Sequence, residues 1–167
     1  SEEQFAIIRV GEPLGSLYGY VYEGVLQQGE SYAPQPNAKP GDPKFRDISG
    51  PQGTPDGKIT SDDRQIIGNA SPDLIFGLTN TFKYKNFDLS IFIHGSLGNE
   101  LLNMTRMNLE WAHSTDALNR WTTSNTDTDI PRNGFYYSKY GGYINSHFIE
   151  DASFLRVKNV TFGYTIP

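Results

Sequence analysis

A chain of 167 residues is long enough for one domain with a substantial core, yet 17 glycines, 10 prolines and 13% aromatics suit many strands joined by long loops better than a helical bundle. The formal charge of −5 offers no basic footprint, which speaks against a nucleic-acid partner. The absence of cysteine removes disulfides and thiolate metal sites together.

The opening SEEQFAIIRV is acidic and lacks the basic start and apolar run of a signal peptide. No stretch approaches the roughly eighteen apolar residues of a spanning helix. Two architectures remain: a soluble protein, or a piece of a membrane β-barrel, whose strands need no continuous apolar run. Residues 5–10 form a strand-like apolar run that Gly11-Glu12-Pro13 closes. In LGSLYGYVYEGVL, Tyr18, Tyr20 and Tyr22 fall on one side and Leu17 and Val21 on the other. Glycines 15, 19 and 24 suit a strand that bends or abuts another backbone. Residues 27–43 are polar and proline-rich, as in an exposed loop, and 43–48 form a brief strand. An acidic, Gly- and Pro-rich loop occupies 39–72 and ends in the turn-like wording IIGNASPD.

Over 73–85 the alternation is strict. Leu74, Phe76, Leu78, Phe82 and Tyr84 share one face, with Asn80 as the exception. Gly77, Thr79, Thr81, Lys83 and Lys85 occupy the other face, where Ile75 is the odd residue. Phe87, Leu89, Ile91 and Ile93 repeat the pattern against Asp88, Ser90 and His94, and the short YKNF connection reads as a hairpin. Strands of about ten residues exceed the usual five or six of globular sheets and match a tilted bilayer crossing. A β-sandwich with one buried face accounts for the alternation equally well. Residues 98–113 change period: Leu101, Met104, Met107 and Trp111 recur at helical spacing, widened by Leu102 and Leu109, which predicts one short helix. Residues 114–145 are loop-like. In 153–166 the apolar parity changes midway, from Leu155 and Val157 to Val160, Phe162, Tyr164 and Ile166; a bulge near Asn159 or a strand passing from a protein-covered zone into lipid accounts for it. The chain ends on this strand, so an excised fragment is the expectation.

Catalytic patterns are poorly supported: GxSxG, a phosphate loop, a dinucleotide fingerprint and HExxH are all missing. His94, His113 and His147 have no metal-ligand spacing. Glu100, Glu110 and Asp116 form no fixed glycosidase pair and read as a solvated face. The expectation is no enzyme. The acidic loop carries more. Calcium loops place oxygen ligands at positions one, three, five, seven, nine and twelve with glycine sixth. Asp47, Ser49, Asp56, Lys58 (through its carbonyl), Thr60 and Asp63 follow that order around Gly57, once PQGTP is allowed to bulge out between the third and fifth ligands. Serine third and aspartate last weaken such a site, and an Asx-rich loop without metal explains the same residues.

Taken together, GEPLGSLYGYVYEGV, KPGDPKFRDISG, DGKITSDDRQIIGNASPDLIFGLTNTFKYKNFDLSIFIHGSLGNELLN, RWT…TDIPR and IEDASFLRVKNVTFGYTIP resemble, in order, the downstream part of SusC/RagA-type TonB-dependent outer-membrane receptors. That family's loop commonly reads as an uninterrupted DxNGDGKI, so PQGTP is a departure. The resemblance implies an all-β fold: antiparallel strands of a large transmembrane β-barrel, of which 1–167 is a partial segment without plug domain, TonB-contacting region or last strands. It implies an outer-membrane importer of oligosaccharides or peptides, working with a SusD-like lipoprotein and TonB. Leu74, Phe76, Leu78, Phe82 and Tyr84 would then face lipid, and Thr79, Thr81 and Lys83 the lumen. Tyr84 and Phe87 would sit at the membrane interface, YKNF would be periplasmic and 95–145 extracellular. Tyr136, Tyr137, Tyr140 and Tyr143 become candidates for touching ligand or lid. The alternative is a secreted, calcium-stabilised β-sandwich that binds carbohydrate.

Overall fold

A computed structural model describes residues 5–111, 114–133 and 144–167, the side chains of Trp111 and Asp116 excepted. In chain order these form β1 (Ala6–Ile7), β2 (Ser16–Gly19), β3 (Tyr22–Val25), β4 (Pro43–Phe45), β5 (Gln65–Asn69), β6 (Leu74–Tyr84), β7 (Phe87–Leu97), β8 (Glu100–Leu102), α1 (Met104–Trp111), β9 (Ile149–Asp151) and β10 (Phe154–Tyr164). The predominance of strands agrees with the all-β expectation, and none of the described helices is long and apolar enough to cross a membrane.

The three eleven-residue strands make one antiparallel sheet in the order β10-β7-β6. The expected hairpin is present: Leu74 pairs with Leu97 and Tyr84 with Phe87, in unbroken register across a two-residue turn. Lys85 takes φ 50° there, a left-handed value that a two-residue hairpin turn commonly demands. The Asn86 carbonyl accepts from Thr165 N at 2.8 Å, tying the turn to the end of β10. On the other side of β7, Val157 pairs with Ile93 and Asn159 with Phe92, so Lys158 is the extra residue of a bulge. Because Val160 then opposes Ile91, the two apolar sets of β10 lie on one face.

All remaining described elements gather at the end of this sheet opposite the hairpin. Asp73 N donates to Leu97 O at 3.0 Å, Ala152 N to Asn99 O at 2.9 Å and Gly98 N to Ser153 Oγ at 3.0 Å, where the three strands meet the rest. That rim assembly holds the buried core. Phe45 and Phe148 are fully buried, with Leu17, Tyr20, Val25, Leu26, Met107, Trp121 and Ile144 around them. A relay of rings crosses it: Tyr20 to Phe45 at 5.4 Å, Phe45 to Tyr22 at 6.3 Å, Tyr22 to His147 at 4.8 Å and His147 to Phe148 at 4.8 Å. Tyr20 also bridges 144–146 through its backbone, donating to Ile144 O and accepting from Ser146 N, each at 3.0 Å. Gly19 is glycine because a Cβ there would collide with the Ile144 carbonyl, the close backbone approach its strand position suggested.

Two expectations need correction. The IIGNASPD stretch is not only a turn: Gln65–Asn69 is β5, paired to β2 with Tyr18 opposite Ile66 and Leu17 opposite Gly68. The helix does not begin at 98 either. Residues Glu100–Leu102 pair with Ile149–Asp151, and Asn103 caps the helix by accepting from Arg106 N at 2.8 Å. Met107 packs on Phe148 with Leu102 beside it, while Met104 and Leu109 stay exposed.

The bulge makes a testable claim. Deleting Lys158 removes only the residue without a partner and keeps every facing, so amide-exchange protection of the sheet should persist. Deleting Ser90 from β7, which has no spare residue, turns half of that strand over and should abolish protection. Equal losses would contradict the register.

Candidate functional site

Residues directly opposite one another in an antiparallel pair project to the same face. Applied to the observed register, one face of the sheet carries rows running Phe76–Gly95–Leu155, Leu78–Ile93–Val157, Asn80–Ile91–Val160, Phe82–Leu89–Phe162 and Tyr84–Phe87–Tyr164. The opposite face carries Ile75–Ser96–Phe154, Gly77–His94–Arg156, Thr79–Phe92–Asn159, Thr81–Ser90–Thr161 and Lys83–Asp88–Gly163. The first face is apolar and uncovered: Leu78 is 53% exposed, Phe82 58%, Val157 60% and Phe162 66%. Water does not favour such a surface, and monomeric proteins rarely keep one this continuous. From Leu74 to Tyr84, ten steps of roughly 3.4 Å at a tilt of about 40° rise about 26 Å, against an apolar band of about 25 Å in outer-membrane barrels. Its hairpin end is aromatic, with Phe87 4.8 Å from Tyr164 and 5.7 Å from Phe162.

The second face mixes hydroxyls, an amide and charges with three apolar side chains, Ile75, Phe92 and Phe154. Lys83 stands opposite Asp88. The Arg156 guanidinium lies 4.2 Å over the Phe154 ring, and His94 is 5.4 Å from that ring.

Two buried polar clamps hold the rim together, and the sequence pattern did not single them out. In the first, Asp42 is fully buried; it takes Arg132 Nε at 2.7 Å and Lys39 N at 2.7 Å. Arg132 N donates to Gly41 O at 2.8 Å, and Trp121 Nε1 donates to Gln27 Oε1 at 3.1 Å. Gly41 takes φ +90°, and a Cβ would meet the Trp121 ring at 2.5 Å. Two stretches ninety residues apart, KPGDP and RWT…TDIPR, therefore meet here. The second clamp links α1 to 146–148. Arg106 Nε donates to Glu110 Oε1 at 2.7 Å, the helical i,i+4 pairing, and Arg106 Nη1 donates to His147 O at 3.0 Å. His147 Nε2 stands 2.8 Å from Glu110 Oε2. Burial works against the Arg106 charge, but its hydrogen bond to Glu110 and the nearby Asp129 and Glu150 carboxylates raise its pKa above the ordinary value.

The loop carboxylates are engaged with backbone. Asp63, fully buried, accepts from Ile48 N at 2.8 Å, Ser49 N at 3.1 Å and Thr60 N at 2.7 Å. Asp47 accepts from Asp56 N at 3.3 Å and Gly57 N at 2.7 Å, and Asp56 from Lys58 N at 3.0 Å. Thr60 Oγ1 caps the turn Ser61–Asp63, accepting from Asp62 N. Among the described residues no group of three or more His, Asp or Glu side chains is arranged to hold a metal ion. Glu100 accepts from Asn69 N at 3.0 Å, and Glu110 belongs to the second clamp. His113 and the four tyrosines Tyr136, Tyr137, Tyr140 and Tyr143 lie outside the described residues.

No family model matches the chain. Curated relatives do. A TonB-dependent receptor of Formosa agariphila, P3, is 39% identical over 173 aligned residues that cover 99% of this chain and 16% of the relative. A second from the same organism, P26, is 35% identical, covering 95% of this chain and 16% of the relative. The TonB-dependent receptor SusC of Bacteroides thetaiotaomicron is 32% identical, covering 94% and 14%. The chain thus spans about a sixth of the length of the relatives it matches.

The first clamp yields a prediction. Arg132→Ala strands a buried carboxylate and should destabilise the rim by roughly 3–5 kcal/mol, read as a fall in its thermal midpoint. A change below about 1 kcal/mol, the value of a surface pair, would show that the clamp does not hold the two stretches.

Proposed function

Because the chain belongs to the TonB-dependent receptor family, to which SusC also belongs, we propose that it forms part of the wall and rim of an outer-membrane nutrient importer. The observation that carries this is the uncovered apolar face continuous over β6, β7 and β10, backed by a polar face on the same strands. The apolar face meets lipid, the polar face lines the interior of a closed barrel, and the rim assembly projects to the outside. The hairpin turn Lys85-Asn86 then lies on the periplasmic side. A secreted β-sandwich needs a second sheet over the apolar face, and none of the described strands covers it.

Uptake itself is the work of the longer protein. We assign its energy supply to TonB, its outer lid to a SusD-like lipoprotein and its cargo to oligosaccharides or peptides. Tyr136, Tyr137, Tyr140 and Tyr143 are the proposed contacts with cargo or lid. Calcium at 47–63 rests on ligand order alone. Heat on calorimetric titration with calcium, lost in Asp56→Ala, supports a site; no heat in either leaves a self-capped turn.

The facing is tested in the full-length receptor. Leu78→Arg puts a charge near the middle of the lipid face and should cost about 2–4 kcal/mol of folding free energy in bilayers, whereas Thr79→Arg should cost little. Equal effects contradict the assignment.

A further inference from the structure

The polar face is not uniform along its length. The row nearest the hairpin holds Lys83 and Asp88; the other rows carry no carboxylate, and the cation among them is Arg156, which stands directly opposite His94. Three rings and this guanidinium form a strip in the half of the face next to the rim. Phe92 lies 6.5 Å from His94, His94 lies 5.4 Å from Phe154, and the Arg156 guanidinium sits 4.2 Å over the Phe154 ring. The Phe92 ring rests on the backbone of Gly77, where a Cβ would stand 3.1 Å from its Cε2. Neither Arg156 nor His94 makes a side-chain hydrogen bond or ion pair with any described residue. Arg156 is exposed, and the three rings are half-buried.

We propose that this strip is a cargo subsite on the interior wall, just below the rim, for an oligosaccharide that carries an anionic substituent, carboxylate or sulfate. The inference rests on the importer reading above and narrows its cargo to one chemical class. Stacking on Phe154 occupies a face of the guanidinium and steadies its plane. The N–H donors lie in that plane, so they stay open to an acid group, which a guanidinium takes through two parallel hydrogen bonds. No carboxylate in the neighbouring rows competes for them. The neutral imidazole of His94 has one donor and one acceptor nitrogen, a match for sugar hydroxyls. The Phe92 ring, held down on Gly77, offers a flat apolar surface to the C–H face of a sugar ring. Apolar surface with a few convergent polar groups is the usual make-up of a small-molecule site. An acidic peptide could use Arg156 but brings no such C–H face to Phe92.

The test titrates the full-length receptor in bilayer vesicles with uronate-bearing, sulfated and neutral oligosaccharides and with acidic peptides. One or both anionic sugar sets should bind more tightly than the neutral sugars and the peptides. Arg156→Ala should weaken that binding at least tenfold and Arg156→Lys less, whereas Phe92→Ala should weaken anionic and neutral sugars alike. The thermal midpoints of all three variants should match the parent's. Preference for neutral sugars or peptides, or anionic binding unchanged by Arg156→Ala, overturns the subsite. Unchanged binding with a lowered midpoint in Arg156→Ala also overturns it and assigns the guanidinium to the plug domain instead. Cysteine labelling, with any other cysteines replaced, separates these failures from failure of the wall reading. Reaction of Arg156→Cys with a membrane-impermeant maleimide and protection of Leu155→Cys keep the wall reading even if the subsite falls. The reverse pattern overturns both.

Discussion

The direct opposition of β6, β7 and β10 is the constraint on which the rest depends. Side chains on a strand alternate with a period of two, so one misplaced residue would transfer a strand's whole apolar set to the other face. β6 and β7 hold register from Leu74–Leu97 to Tyr84–Phe87 without interruption. β10 cannot, because its apolar parity changes in sequence, and Lys158 is the residue that absorbs the change. The result is one sheet with an apolar face and a polar face, uncovered on the apolar side. Water does not satisfy the apolar face, which calls for an apolar neighbour.

The division of labour between wall and rim follows. The long strands contribute little to a buried core, since their side chains end in the surroundings on both faces. Burial is concentrated in the rim, around Phe45, Phe148, Tyr20 and Trp121, and there the ladders are short and much of the backbone runs in loops. Buried side chains supplement the ladders: Asp63 holds three backbone N–H groups, Asp42 one together with a guanidinium, and Gln35 takes Phe45 N and gives to Pro43 O. Groups of this kind fix a unique arrangement, because each is costly when left unmade. In the importer proposed above, such a rim would present one fixed shape outside the membrane.

Much of the wall was legible in the sequence, since strict alternation over 73–85 and 87–93 and the YKNF turn are local signals. The short pairs β8–β9 and β2–β5 were not. Glu100–Leu102 and Ile149–Asp151 are too short to show a period, and their pairing joins segments nearly fifty residues apart. The clamps were hidden for the same reason: Asp42 and Arg132 are ordinary charged loop residues until the fold brings them together. Arg106 and Glu110 did carry a local sign, their i,i+4 spacing, but it is common on solvated helices and gave no hint that His147 completes the group. The spacing of the acidic loop suggested oxygen ligands, and backbone N–H groups claim the same oxygens, because Asp in tight turns serves both chemistries.

The central claim is that one face of this sheet meets lipid and the other water. Spin labels placed one at a time along 87–97 of the full-length receptor in bilayers test it directly, by comparing relaxation by oxygen, which concentrates in hydrocarbon, with relaxation by a water-soluble nickel complex. Oxygen accessibility should peak at 87, 89, 91 and 93 and nickel accessibility at 88, 90, 92 and 94. A uniform profile, or alternation in the opposite phase, would contradict it.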